Sequence, residues 1–312
     1  GQGDDYNPKK FKGEDAFTSA IQTILDDNPS KVYFLRGHGE RRTGEYRPTG
    51  FSELQGVLKK ANLETEDLDL FDKGVIPNDC SLLIIAGPGA GIPEQEIRAI
   101  RSYLQSKDLK AGQPPALLVM LEPTSPQSKS RPSGLRKLLA EYNVDVIEAT
   151  RLIDITKSLQ LTSQGLQVKE RLGFRVAVEE HIKHPVTTDL SGFPTHFTSI
   201  ACVRPLEQEK NPEFEAKVFL QGTESGWGEM NLRSLYSRRS TANYDEETDI
   251  KPPVPFGVAV ESKNEKGPRI VVIGDVDFAT NQLVQERGNL GLAINSVLWS
   301  VRKNNRLGLP PV

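Results

Sequence analysis

The chain has 312 residues, of which 37% are hydrophobic and 26% charged, with a net charge of -3 and a pI near 6.0. This composition is that of a globular protein and argues against a nucleic-acid partner, because Arg36, Arg41 and Arg42 are balanced by Glu40 and Glu45 and form no basic stripe. No run approaches the roughly 20 consecutive apolar residues that cross a bilayer, and the N-terminus has no signal-peptide stretch.

The chain begins Gly-Gln-Gly without a methionine, so an excised fragment is expected. Residues 1–10 are polar and read as a disordered terminus. Residues 14–25 carry Phe17, Ala20, Ile21, Ile24 and Leu25 at helical spacing, and 31–36 reads as a strand. A helix follows from Ser52, whose hydroxyl can cap it, to Ala61. Leu68–Phe71 reads as a short strand and 82–86 as a buried one. Pro93, Glu94 and Glu96 then open a helix to Gln105, with acids at the positive end of its dipole. Strand 116–121, a Ser/Pro/Lys loop at 124–132, a helix from Ser133 to Tyr142 and strand 144–148 complete the first half. This alternation predicts an α/β three-layer sandwich, flavodoxin-like, with a mostly parallel central sheet.

The second half is less regular. Residues 165–180 alternate in places, 181–195 form a His/Pro/Thr-rich connection, and 197–203 and 216–221 read as strands. Residues 231–253 read as a long surface loop, 255–261 and 269–273 as a hairpin, and 290–303 as the last helix. With no Gly/Ser linker, residues 11–305 are expected to form a single elaborated domain.

The segments able to do chemistry follow predicted strands. They are Gly37-His-Gly-Glu40, Gly87-Pro-Gly-Ala-Gly91, Glu122-Pro-Thr-Ser-Pro126 and Gly274-Asp-Val-Asp-Phe278. In an open parallel sheet ligands bind along the carboxyl rim, so these turns are expected to share one crevice. His38 and Glu40 admit three readings: a structural turn, a corner that hydrogen-bonds a polar solute, or part of a metal site short of a full ligand set. The Gly87–Gly91 run fits a tight strand-to-helix turn better than an anion cradle, since Pro88 removes a donor. Asp275 and Asp277 could bind a divalent ion with Glu40 or Asn281; capping of the following turn is the favoured reading. Trp227, between glycines and followed by Glu229, could stack on a sugar-like ligand or plug the top of the domain. His181 and His184 lack a third ligand and read as a surface turn. Cys80 and Cys202 read as buried free thiols.

The order of motifs resembles the extracytoplasmic region of gliding-motility-type (GldG-like) auxiliary proteins of ABC transport systems. The resemblance rests on 11–21, Val32-Tyr-Phe-Leu-Arg-Gly-His-Gly-Glu40, Phe51-Ser-Glu-Leu54, Ile76–Pro88 with Glu94-Gln-Glu96, Arg269–Asn281 and Gly288–Trp299. It implies a fold similar to class I glutamine amidotransferases, in a non-catalytic branch, and a membrane-associated, periplasmic position beside an ABC permease. The chain stops at 307–312, about where such a protein would approach its membrane segment.

A glutaminase needs a Cys on the strand-to-helix elbow, a His and an oxyanion hole. Here the elbow reads Glu122-Pro-Thr-Ser-Pro126, and Cys80 precedes its strand. The expectation is therefore a non-enzymatic binding or scaffolding module without cofactor or metal, partnered by permease subunits. A small polar or sugar-like ligand would meet His38, Glu40, Trp227, Glu229, Asp275, Asp277 and Asn281. The alternatives are a hydrolase built on the acidic residues, with or without metal, and a pure protein-interaction module.

Overall fold

A computed structural model describes residues 30–107, 109–110, 112–124, 132–162, 165–235 and 242–304. The expected helix at 14–25, the polar terminus and residues 125–131 lie outside these. In chain order come β1 (Ser30–Arg36), α1 (Ser52–Lys60), β2 (Leu63–Asp69), α2 (Leu70–Lys73), β3 (Cys80–Ala86), α3 (Glu94–Leu104), β4 (Ala116–Met120) and α4 (Arg136–Ala140). There follow β5 (Val144–Ile147), β6 (Arg151–Thr162), β7 (Gly165–Gly173), β8 (Val176–Val178), β9 (Thr195–Phe197) and β10 (Cys202–Pro205). Last come β11 (Phe214–Gln221), β12 (Trp227–Glu229), α5 (Leu232–Leu235), β13 (Pro255–Ser262), β14 (Arg269–Ile273) and α6 (Arg287–Ser300).

Seven strands form the central sheet in the order β11-β13-β14-β4-β3-β1-β2. The five from β14 to β2 are mutually parallel, and β13 runs against both its neighbours. The parallel part has the flavodoxin-like winding, reversing between β1 and β3. Its central strands are apolar on both faces because both faces are covered; all seven residues of β3 are buried. Alternation sends Val32, Phe34, Leu82, Ile84, Leu118 and Ile273 to the side of α1 and α6. Tyr33, Leu35, Leu83, Ile85, Val119 and Val272 face α3 and α4. The expected three layers are present.

α6 is buried nearly all round, which its polar residues tolerate only because each finds a partner. The amide of Asn289 donates to the carbonyls of His196 and Phe278 and accepts from the His196 N–H. Asn295 donates to Thr188, and the hydroxyls of Ser296 and Ser300 donate one turn back along the helix. His184, expected in a surface turn, instead lies against Phe219 and Trp299, with ring centroids 5.8 and 5.2 Å away.

Several boundaries differ from the sequence reading. β2 starts at Leu63, and Phe71 belongs to α2. As an edge strand, β2 buries only Leu63 and Leu68, so its apolar signal is thin. β5 leaves the central sheet and pairs antiparallel with β10. The expected strand 197–203 is split into β9 and β10, because between them Ile200 accepts from Leu152 and Ala201 donates to the Gly274 carbonyl. Of the long β6–β7 hairpin, joined by β12, the sequence reading has only the alternation at 165–180, which covers β7; β6 and the pairing have no counterpart there. Residues 231–253 are not all surface, since Leu232, Leu235 and Ala242 pack with Ile153 and Trp227.

Gly274 passes so close to the Ala201 carbonyl that a Cβ would collide with backbone. Gly274→Ala is expected to lower stability by about 2–4 kcal/mol in urea unfolding. Burial pushes His184 down to about 4, below its unfolded value of about 6.5. The unfolded chain then binds more protons in that interval, so stability falls as pH drops from about 6.5 to about 4. A His184→Phe variant, which keeps the ring packing, should show a shallower fall in melting temperature over the same range.

Candidate functional site

Because β1, β3, β4 and β14 are parallel, the four turns that follow them emerge on one rim. Strand order reverses between β1 and β3, where diverging loops ordinarily leave room for a ligand. Here the chain bridges that gap with its own groups. The Ala90 N–H donates to the His38 carbonyl at 2.9 Å. The His38 ring lies between two carboxylates, with Nδ1 3.1 Å from Glu40 Oε1 and Nε2 3.3 Å from Glu96 Oε1. The second Glu40 oxygen accepts the His38 N–H at 2.8 Å. All three residues are buried. Glu96 reaches the ring from the first turn of α3, where the dipole favours an acid.

Gly87, at φ +65°, turns the chain out of β3 and donates its N–H to the Met120 carbonyl at 2.7 Å. Pro88 has no N–H, and the Ile92 N–H donates to the Ser133 carbonyl. With Ala90 also engaged, this run works as a tight turn and holds few amides open to an anion.

A second group of charges sits over the ends of β4 and β14. Arg41 Nη2 lies 3.1 Å from Glu122 Oε2 and 3.2 Å from Asp277 Oδ1. The other Asp277 oxygen accepts the Thr198 hydroxyl at 2.9 Å. Burial pushes the Glu122 carboxyl up, and Arg41 pulls it back. Asp275 is fully enclosed and accepts the N–H groups of Thr198, Ser199 and Phe278 at 2.8–2.9 Å. Burial first, and then the Asp277 carboxylate, push Asp275 up to about 7 against the pull of those amides. Asp275 thus closes the turn after β14 and fixes the β9–β10 connection to it.

Asn281 accepts the Glu53 N–H at 2.9 Å and donates to the carbonyls of Glu45 and Arg47 at 2.8 Å. It caps α1, whose own N-cap residue Phe51 offers no side-chain bond; Ser52, expected to cap, is instead the first helical residue. Its role here is to fasten the loop after β1 to the end of β14.

Trp227 and Glu229 stand apart from this group. The Trp227 indole is 4% exposed and packs with Ile153, Leu232, Leu235 and Ala242. Its Nε1 donates to Glu229 Oε2 at 3.2 Å, and Glu229 Oε1 accepts the Asn231 N–H. Of the two readings for Trp227, the plug is the one its burial fits. Arg151, opposite Glu229 in the β12–β6 ladder, links the two regions by reaching the Thr198 carbonyl at 3.4 Å.

The rim therefore gathers His38, Glu40, Asp275, Asp277 and Asn281, and leaves Trp227 and Glu229 in an adjoining cluster. Arg41, Glu96 and Glu122 complete the polar network but were not singled out as site residues in the sequence. Arg41 reads there as charge balance, and Glu96 as an acid suited to the helix dipole. Ser125 lies outside the described residues. Cys80 and Cys202 are buried and free, and burial pushes both thiols up to about 12. Among the described residues, no group of three or more His, Cys, Asp or Glu is arranged to hold a metal ion. Nor is any helix among them long and apolar enough to cross a membrane.

Sheet order and rim together define a flavodoxin-like α/β domain whose strand-end rim is closed by internal ion pairs and hydrogen bonds. Residues 29–297 match the ABC transport auxiliary family described as "ABC-type uncharacterized transport system". The chain belongs to that family and is an auxiliary component of an ABC-type transport system. Among solved structures it is similar to one described as "mmIFT52 N-terminal domain", with TM-score 0.58 and 16% identity over 86% of this chain and 97% of that one. That likeness is one of fold. A thua-like protein from Bacteroides uniformis ATCC 8492 aligns over 91% of this chain and 96% of its own, at 14% identity and TM-score 0.43, too distant to carry an argument. No curated protein matches by sequence.

Replacing Arg41 with Gln leaves two carboxyls facing each other without their shared cation. The loss is expected to be about 1–2 kcal/mol at pH 7, given the partial exposure of the partners. Without Arg41 the Glu122 carboxyl rises further above its unfolded value, so its contribution is present in acid and lost as pH rises. The deficit relative to wild type should therefore shrink on acidification toward pH 4, measured by denaturant unfolding across that range.

Proposed function

We propose that this domain is a catalytically silent binding or scaffolding module of the GldG-like type, placed on the extracytoplasmic face of the membrane beside the permease of its transport system. Family membership supports the transport context, and the resemblance of the motifs supports the GldG-like type and the location. The observation that carries the non-catalytic reading is the closed switch point. At the gap between β1 and β3 His38 is bonded to Glu40 and Glu96, and further along the rim, over the ends of β4 and β14, Arg41 is bonded to Glu122 and Asp277. The turn after β4 also holds no cysteine where a glutaminase would need one. The turn after β4 presents Glu122, Pro123 and Thr124, and both thiols are buried with their thiolate forms disfavoured.

One feature favours a hydrolase instead. Glu122, raised by burial, shares the Arg41 guanidinium with Asp277, and neighbouring carboxyl groups are the usual parts of an acid–base hydrolase. Turnover assays on amide, ester and phosphomonoester substrates, with and without added divalent metal, separate the readings. The expected result is no turnover above buffer, alongside co-purification of the full-length protein with permease subunits from detergent-solubilised membranes. Turnover that Asp277→Ala lowers about tenfold or more would overturn the non-catalytic reading.

A further inference from the structure

The two edges of the central sheet differ in kind. At one, β11 meets β13 with register shifts between Val218 and Leu220 and again between Leu220 and Gln221. Such irregularities spoil an edge for further pairing. At the other, β2 follows β1 for seven residues without a break in register. It contains neither proline nor glycine and has no strand on its outer side among the described residues. A regular edge of this kind presents outward N–H and C=O groups that can receive one more strand.

The side chains say what kind of strand. β2 carries Glu64, Glu66, Asp67 and Asp69 and no cation. From the inner side, Lys31 pairs with Glu66 at 2.8 Å and Arg36 with Asp67 at 2.9 Å. Glu64 and Asp69 are exposed, and Asp72 just beyond adds a third outlying carboxylate. At the carboxyl end Phe71 and Val75 are 87% and 67% exposed; with Tyr46 they are the most exposed large apolar side chains among the described residues. At the amino end lies a depression of about 390 Å3 lined by Lys59, Asn62, Leu63, Glu64, Thr65 and Glu66. A second copy of the chain would bring the same carboxylates to the edge, and like charges facing across a ladder disfavour pairing.

We propose that β2 is a docking edge that takes an extended, basic segment of another polypeptide as an added strand. Its cations meet Glu64, Asp69 and Asp72, and an apolar residue covers Phe71 and Val75. The proposal does not depend on the closed rim, since neither Arg41 nor Asp277 lies on β2.

Fluorescent peptides matching the seven residues of β2 test it on the full chain. The first alternates Lys with Thr and Val, the second places Pro at every other position with the charge kept, and the third replaces Lys with Glu. Anisotropy should show the first binding, with the second weaker by about tenfold or more and the third not binding. Amide hydrogen exchange over 63–69 should slow when the first peptide is added. Glu64→Lys with Asp72→Lys, both at exposed positions, should weaken binding about tenfold while leaving the melting temperature in place. Phe71→Ser should weaken it independently of charge. No saturable binding of the first peptide at millimolar concentration would overturn the proposal, as would equal binding of the proline version or indifference to the charge reversal. Slow exchange at the outward-facing amides of 63–69, those not paired with β1, before any peptide is added would mean that the edge is already covered. A dimer that Glu64→Lys dissolves would assign the edge to a second copy; either outcome ends the proposal.

Discussion

The buried carboxylate of Asp275 is the interaction on which the polar architecture of this domain depends. It collects three backbone N–H groups from two segments far apart in sequence, and so ties the β9–β10 connection to the end of β14. That tie places the Thr198 hydroxyl against Asp277, Asp277 against Arg41, and Arg41 against Glu122. Bonds linked in this way reinforce one another in a low-dielectric setting, and each is worth less once its neighbour is gone. The backbone pair between Ala201 and Gly274 lies directly beneath, which is why only glycine fits there.

How much of this was legible follows from where the side chains are buried. β1, β3, β4 and β14 stand out because strands covered on both faces need apolar residues in succession, as Ser81-Leu-Leu-Ile-Ile-Ala86 shows. α1 and α3 stand out through helical spacing. β2 hid because an edge strand buries only two of its residues. The β6–β7 hairpin was legible and overlooked, since Ile153, Ile155, Leu159 and Leu161, then Leu166, Val168 and Leu172, alternate with polar residues as strand residues do. β5 was legible as a strand but not as a partner of β10, since pairing over 50 residues leaves no local trace.

The gathering of the rim was legible from one rule, that parallel strands deliver their following loops to the same side. What each residue does there was not. Asn281 looks like an ion ligand in the sequence, yet it caps a helix 228 positions away. Trp227 between two glycines looks made for stacking, yet its ring faces inward and its N–H belongs to Glu229. The same residue types serve ligand binding and internal satisfaction, and only the partners tell them apart.

The two thiols have a practical consequence. Cys80 and Cys202 are enclosed, and their reactive anionic forms are strongly disfavoured at neutral pH. A cysteine introduced on the surface would then be the one that a maleimide dye or spin label modifies, with the native pair left in place. The fold offers a quiet background for site-directed labelling, and so for mapping how the domain is oriented within its transport assembly.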